Sequence, residues 1–146
     1  MCQTHEKPVI VDSRSQTRPP SSFPDPSFGT TTWHTLLSAP ATPSSSLSAG
    51  VAVCPSRGKL ALHRHKQAEV YYILGGSGEV EINGKRSRVS EGMVIWIPGD
   101  AEHGVFCSEG EELKWFYVFP EGSFEHVVYR FSHEVEEDTK IIAAKL

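Results

Sequence analysis

Short apolar stretches with a period of two recur along the chain, broken by Gly, Pro, Asn and Ser, and this pattern predicts strands rather than helices. Residues 7–12 carry the β-branched run Val9-Ile10-Val11 and predict an edge strand. From 13 to 29 Pro, Ser and Asp dominate and no period survives, as in a loosely ordered crossing segment. Residues 30–37 are strand-like, 38–46 form a second Pro/Ser loop, and 47–53 resume extended character. Between 59 and 131 strand candidates follow one another closely across Gly-bearing turns, about eight in all, as in an antiparallel sandwich or barrel rather than in βαβ units. The clearest hairpin runs up through 79–82, turns at Asn83-Gly84 and returns through Arg88 and Val89, since Asn-Gly takes up the positive φ angles of a type I′ turn at little cost. Residues 134–146 lack Gly and Pro and predict a short terminal helix or a frayed end.

Strand phase brings the chemistry together. If 60–65 is a strand, Ala61, His63 and His65 share one face and Leu60, Leu62 and Arg64 the other. After a turn at 66–68, the next strand sets Glu69, Tyr71 and Ile73 together, on a neighbouring strand from which the carboxylate can meet both imidazoles. A Gly-bounded turn follows it. His103 comes after the turn at 97–102 and shares a face with Val105 and Cys107. A carboxylate buried among imidazoles is unfavourable unless a cation accompanies it. His63, His65, Glu69 and His103 are therefore the candidate ligands of one divalent metal ion, and such a set accepts Fe, Mn, Ni, Co, Cu or Zn. An isolated His-x-His would be surface decoration; the Glu four residues on and the later Pro-turn-His argue for a shared ion.

These residues also carry a resemblance. The stretch from Gly58 through His63, His65 and Glu69 to Gly76 resembles the first cupin motif, and Gly92 through Pro98 to His103 resembles the second. The resemblance implies an all-β, single-domain cupin: a double-stranded β-helix or jelly-roll barrel over 47–132, an irregular Pro/Ser-rich arm over 1–46 and a tail over 133–146. It implies the same four metal ligands. Three departures stand out. Gly58 lies one residue closer to His63 than usual, Asp100 stands where the second motif has Gly, and Cys107 where it often has Asn. None removes a ligand, and Asp tolerates a left-handed turn better than most residues. Cys107 reads as a small buried hydrophobe.

Tyr71 shares the phase of Glu69 and should look into the same cavity, either as packing or as a base. To act as a base near neutrality its pKa must fall from about 10 to about 7, which corresponds to about 4 kcal/mol of preference for the phenolate, and a nearby divalent cation can supply that. The segments 116–120, 123–124 and 127–131, with the ligands and Tyr71, further resemble the bacterial cupin-type dimethylsulfoniopropionate lyases. The resemblance implies a lyase, isomerase or cyclase with the metal as Lewis acid and Tyr71 as base. The same ligands serve a mononuclear Fe(II) dioxygenase, and a small-molecule-binding cupin without turnover is a third reading. Met93, Ile95 and Ile97 share one face, Val94 and Trp96 the opposite one, and Trp115, Tyr117 and Phe119 the face of a further strand. Such an aromatic lining suits a small aromatic, polyketide-like or carboxylate substrate better than a sugar phosphate. His34, His126 and His133 lie outside both motifs and read as surface or packing residues, while Arg57, Lys59, Arg64 and Lys66 read as a solvated rim.

Composition narrows the remaining possibilities. The 146 residues suit one domain, with 38% hydrophobic and 22% charged residues and a net charge of -4. That charge opposes a broad nucleic-acid footprint. Residues 1–10 lack a basic and apolar leader and no stretch reaches bilayer length, so no membrane association and a cytoplasmic location are expected. The three cysteines are widely spaced and are expected to be reduced thiols. A homodimer is expected through an unpaired edge at 9–11.

Overall fold

β5 organises the molecule. In the computed structural model, which describes residues 6–134, this strand runs from Glu69–Ile82 and belongs to both halves of a curled ten-stranded sheet. Its first half pairs with β7 (Val94–Ile97) and β9 (Leu113–Phe119). Beyond β9 the sheet continues through β3 (Ser48–Cys54), β2 (Thr32–Leu37) and β1 (Ser21–Ser22). Its second half pairs with β6 (Lys85–Ser90) and β8 (His103–Phe106), and β8 leads on to β4 (Lys59–Arg64) and β10 (Arg130–Phe131).

The expected turn after Glu69–Leu74 is instead a bulge inside one strand. Gly76 has φ +79°, and a Cβ there would lie 1.7 Å from the Glu112 carbonyl oxygen. Because side chains alternate with a period of two, the bulge exchanges faces. Glu69, Tyr71 and Ile73 point inward before it, and Val80 after it. A second irregularity, between Leu60 and His63 in the β4–β8 pairing, buries Leu60 at 4% exposure alongside Ala61 and His63, against the strict alternation expected.

Other expectations are met where local chemistry dominates. The β5–β6 hairpin closes at Asn83 (φ 49°) and Gly84 (φ 81°), with Ile82 opposite Lys85. Residues 9–11, in contrast, form no strand: Ile10 is fully exposed, and a β-branched run without a pairing edge has nothing to hold it. The edge on which a homodimer was expected is thus not formed there. Between 59 and 131 the structure has seven strands, β4 to β10, where about eight were expected, because the stretch expected to turn after Leu74 is a single strand. The expected terminal helix lies almost entirely outside the described residues. No helix among the described residues is long and apolar enough to cross a membrane.

Candidate metal centre

β4 and β8 bring two of the histidines together directly, because His63 and His103 are register partners across the ladder. His65 follows the end of β4, and its carbonyl accepts a hydrogen bond from the Asp100 amide at 2.8 Å. Asp100 holds the expected left-handed conformation, φ 60°, so the turn before β8 is fastened to the segment after β4. Glu69 approaches from the other half of the sheet rather than from a neighbouring strand, since β5 and β4 are not paired.

All four side chains are buried, at 0% exposure for His63, 1% for His65 and His103, and 3% for Glu69. The three imidazoles each offer a ring nitrogen within 4.8 Å of the others. Glu69 Oε2 lies 3.1 Å from His65 Nε2 and 3.3 Å from His103 Nε2.

The tautomers follow from the partners. His63 Nδ1 faces the Ala61 carbonyl at 2.7 Å, His65 Nδ1 faces that of Gln67 at 2.9 Å, and His103 Nδ1 faces that of Ala101 at 2.8 Å. A carbonyl only accepts, so each Nδ1 carries the proton and, in the neutral ring, each Nε2 presents a lone pair. Two such lone pairs then face a carboxylate oxygen at hydrogen-bond distance with no proton between them. The third, His63 Nε2, is buried without a hydrogen-bond partner. A divalent cation resolves all of these at once, and backbone carbonyls behind the rings are the usual way of fixing histidine ligands. Burial foremost, and next the adjacent His103, hold the His63 imidazole well below its ordinary pKa, which keeps it neutral and able to bind metal.

Of the four, Glu69 reaches a cavity of about 290 Å³ that is otherwise walled largely by aromatic rings, among them Tyr71, Trp115, Tyr117 and Tyr129, while the three histidines lie behind that wall. Tyr71 is 1% exposed, and its ring lies 6.5 Å from that of His103. Burial, with Glu69 second, pushes its phenol well above the ordinary value. Tyr117 is also pushed up, chiefly by burial, while its hydroxyl meets that of Thr35 at 3.1 Å. Among the described residues, no Lys or Arg lines the cavity. Trp115, Tyr117 and Phe119 face inward as one set, and Ile97 is buried while Val94 and Trp96 face out.

Other sequence expectations resolve plainly. Cys107 is buried with its thiol 3.6 Å from the Cys54 carbonyl and lies outside the cavity lining; Cys54 and Cys107 are both free thiols. Burial pushes the Cys54 thiol up to about 12. His133 packs on Phe28, His34 bonds the Arg18 carbonyl, and His126 pairs with Glu121 at the surface. Arg57, Lys59, Arg64 and Lys66 are exposed.

Three cavity residues escape the motif reading. Tyr129 lies flat on His63, with ring centroids 4.6 Å apart and planes 2° apart. The alternation of Val127, Tyr129 and Phe131 carried the signal for it. Thr31, buried with its hydroxyl unpartnered, stands at the start of the strand-like stretch 30–37, and Phe23 comes from 13–29, where no period marks it.

Comparison with known proteins agrees with this geometry. A cupin domain is matched over residues 51–119. The dimethylsulfoniopropionate lyase DddW of Ruegeria pomeroyi is 37% identical over 125 residues, covering 86% of this chain and 80% of that protein. Among solved structures, the polyketide cyclase RemF from Streptomyces resistomycificus superposes with a TM-score of 0.73 at 19% identity, over 86% of both chains. The dimethylsulfoniopropionate lyase DddQ from Ruegeria pomeroyi does so with a TM-score of 0.60 at 22% identity, over 69% of this chain and 51% of that one. At those identities the two structures speak for the fold, whereas DddW speaks for the family. With this fold, this motif pair and a relative of that identity over most of its length, the chain belongs to the cupin family.

Proposed function

We propose that this chain is a metal-dependent lyase for a small carboxylate, with His63, His65, Glu69 and His103 holding one divalent cation and Tyr71 accepting a proton. The observation that carries the reading is the convergence of three lone-pair nitrogens with the Glu69 carboxylate, which itself lines a cavity that also holds a phenol from the same strand face. Dimethylsulfoniopropionate is the first substrate to test, given the likeness to DddW.

The bound cation would supply Lewis acidity toward the substrate carboxylate and lower the pKa of a nearby phenol. The chain's residues do the rest. A cavity of about 290 Å³ is at the small end for ligand sites and favours a compact molecule over an extended polyketide. With no Lys or Arg among the described residues of its lining, an anionic group would be bound by the cation. Aromatic rings suit the apolar or positively charged remainder of the substrate. Tyr71 would take the proton α to the carboxylate as the bond at the β carbon breaks; for dimethylsulfoniopropionate, neutral dimethyl sulfide leaves and acrylate remains. Trp115 and Tyr117, both buried, give that step an apolar wall.

The test is an assay for dimethyl sulfide with metal-stripped and reconstituted protein, in air and under nitrogen. Turnover that needs metal and persists without O2 is expected. An absolute need for O2 would instead favour the dioxygenase reading, and saturable binding without product would favour a binding module.

A further inference from the structure

We propose that Phe23 is the specificity-determining wall of the cavity, a ring delivered from outside the barrel's long strands that sets how large a group the site admits beside the histidine cluster. The claim borrows from the proposed function only the substrates used in one arm of its test.

The arm is fastened on both sides of Phe23. Ser21 and Ser22 of β1 pair with Trp33 and Thr32 of β2. A few residues on, the Asp25 carboxylate accepts a hydrogen bond from the Ser27 amide at 2.8 Å and starts the 3-10 turn Pro26–Phe28. Phe28 then stacks on Phe131, with centroids 4.2 Å apart and planes 13° apart. Gly29 bridges to Leu60 at φ +114°, where a Cβ would lie 2.0 Å from the Lys59 carbonyl oxygen. Phe23 and Pro24 occupy the short arch between these two attachments, and both line the cavity.

The arch places a ring where size is sensed. Phe23 lies 4.8 Å from Trp33, 6.2 Å from Tyr129 and, edge to face, 5.5 Å from Phe131. Tyr129 in turn lies flat on His63, so one ring separates Phe23 from a candidate ligand. A phenyl group serving only as core would be enclosed on all sides, but Phe23 is partly exposed and bounds an open volume. Apolar walls discriminate through volume, with one methylene worth roughly 10- to 200-fold in selectivity. Phe23 lies outside the matched cupin region and on neither of the histidine-bearing strands β4 and β8.

Two arms test this on the full, metal-loaded chain. In the first, which needs no substrate, the neutral fluorophore N-phenyl-1-naphthylamine is titrated onto wild type, Phe23→Ala and Phe23→Trp. Binding at least about tenfold tighter is expected for Phe23→Ala and weaker binding for Phe23→Trp. Equal affinity in all three overturns the proposal. In the second, kcat/KM is compared for dimethylsulfoniopropionate and its dipropyl homologue. Phe23→Ala is expected to shift the ratio at least about tenfold toward the dipropyl compound, and Phe23→Trp to shift it the other way. An unchanged ratio, or a loss of metal from Phe23→Ala, overturns the assignment. A wild type inert toward both compounds counts against the lyase reading, while the dye arm still decides about Phe23. Should Phe23→Ala fail to fold, Phe23→Trp decides alone.

Discussion

His65 Nε2 faces Glu69 Oε2 across 3.1 Å while the other nitrogen of the ring is committed to the Gln67 carbonyl at 2.9 Å. Two acceptors in that arrangement repel unless a cation or an added proton joins them. A divalent cation held by these residues would remove that repulsion.

Removing the metal should lower the melting temperature. A ligand present at a thousandfold its Kd stabilises by about 4 kcal/mol, which for a chain of this size corresponds to a shift of roughly 10 °C. Glu69→Gln should abolish most of that shift, and its metal-free form should melt no lower than metal-free wild type, because the amide can donate to a histidine lone pair. Thermal melts with and without chelator, with elemental analysis of each sample, check this; a wild type indifferent to chelator would sink the metal reading.

His63 gives metal-free protein a pH dependence whose sign is fixed. Its folded pKa is depressed by burial and by His103, below the unfolded value of about 6.5. Between those values the unfolded chain binds more protons than the native one, so stability is full above about pH 6.5 and declines as pH falls, by up to about 1.4 kcal/mol per pH unit. Urea unfolding of metal-free protein at pH 7 and pH 5.5 should show the loss. His63→Gln should flatten it; an equally steep decline in that variant would place the titration elsewhere.

Tyr71→Phe separates proton transfer from packing. The ring remains, so folding and metal content should match wild type, while turnover should fall by about 10² to 10⁴, the range of a lost general base. Without a cation the phenol is pushed up rather than down, so metal-loaded wild type alone should show phenolate absorbance near neutral pH. Turnover in Tyr71→Phe close to wild type would remove Tyr71 from the chemistry.

The site was more legible in the sequence than the path of the chain around it. His63 and His65, and separately Glu69 and Tyr71, are two apart, and alternation alone puts each pair on one face. The Asn83-Gly84 turn and the left-handed Asp100 were legible for the same local reason. What stayed hidden depends on distant contacts. Leu60 is buried because the β4–β8 register slips, and nothing in its own neighbourhood says so. Val9 to Val11 had the composition of a strand but no partner, and Phe23 had a partner but no pattern.

Gly76 tests how tightly β5 is held against the turn before β9, just past the bulge between Ile73 and Gly75. Glu69 and Tyr71 reach the cavity because the strand changes face there; with strict alternation through 76, burying Val80 would turn them outward. An alanine would be strained at φ +79° and would also set its Cβ 1.7 Å from the Glu112 carbonyl oxygen, which is backbone of the preceding turn and has little room to yield. Gly76→Ala should therefore cost about 3 kcal/mol or more, well above an ordinary surface substitution. Gly84→Ala is the matched control, because that glycine also has positive φ, +81°, but no atom within 4 Å of the added Cβ. It should lose only about 1 kcal/mol, the cost of the backbone conformation alone. Urea midpoints for the two variants measure the difference directly. If both lose the same stability, the overlap at Glu112 is relieved by movement of the β9 edge, and the close approach there does not require a glycine.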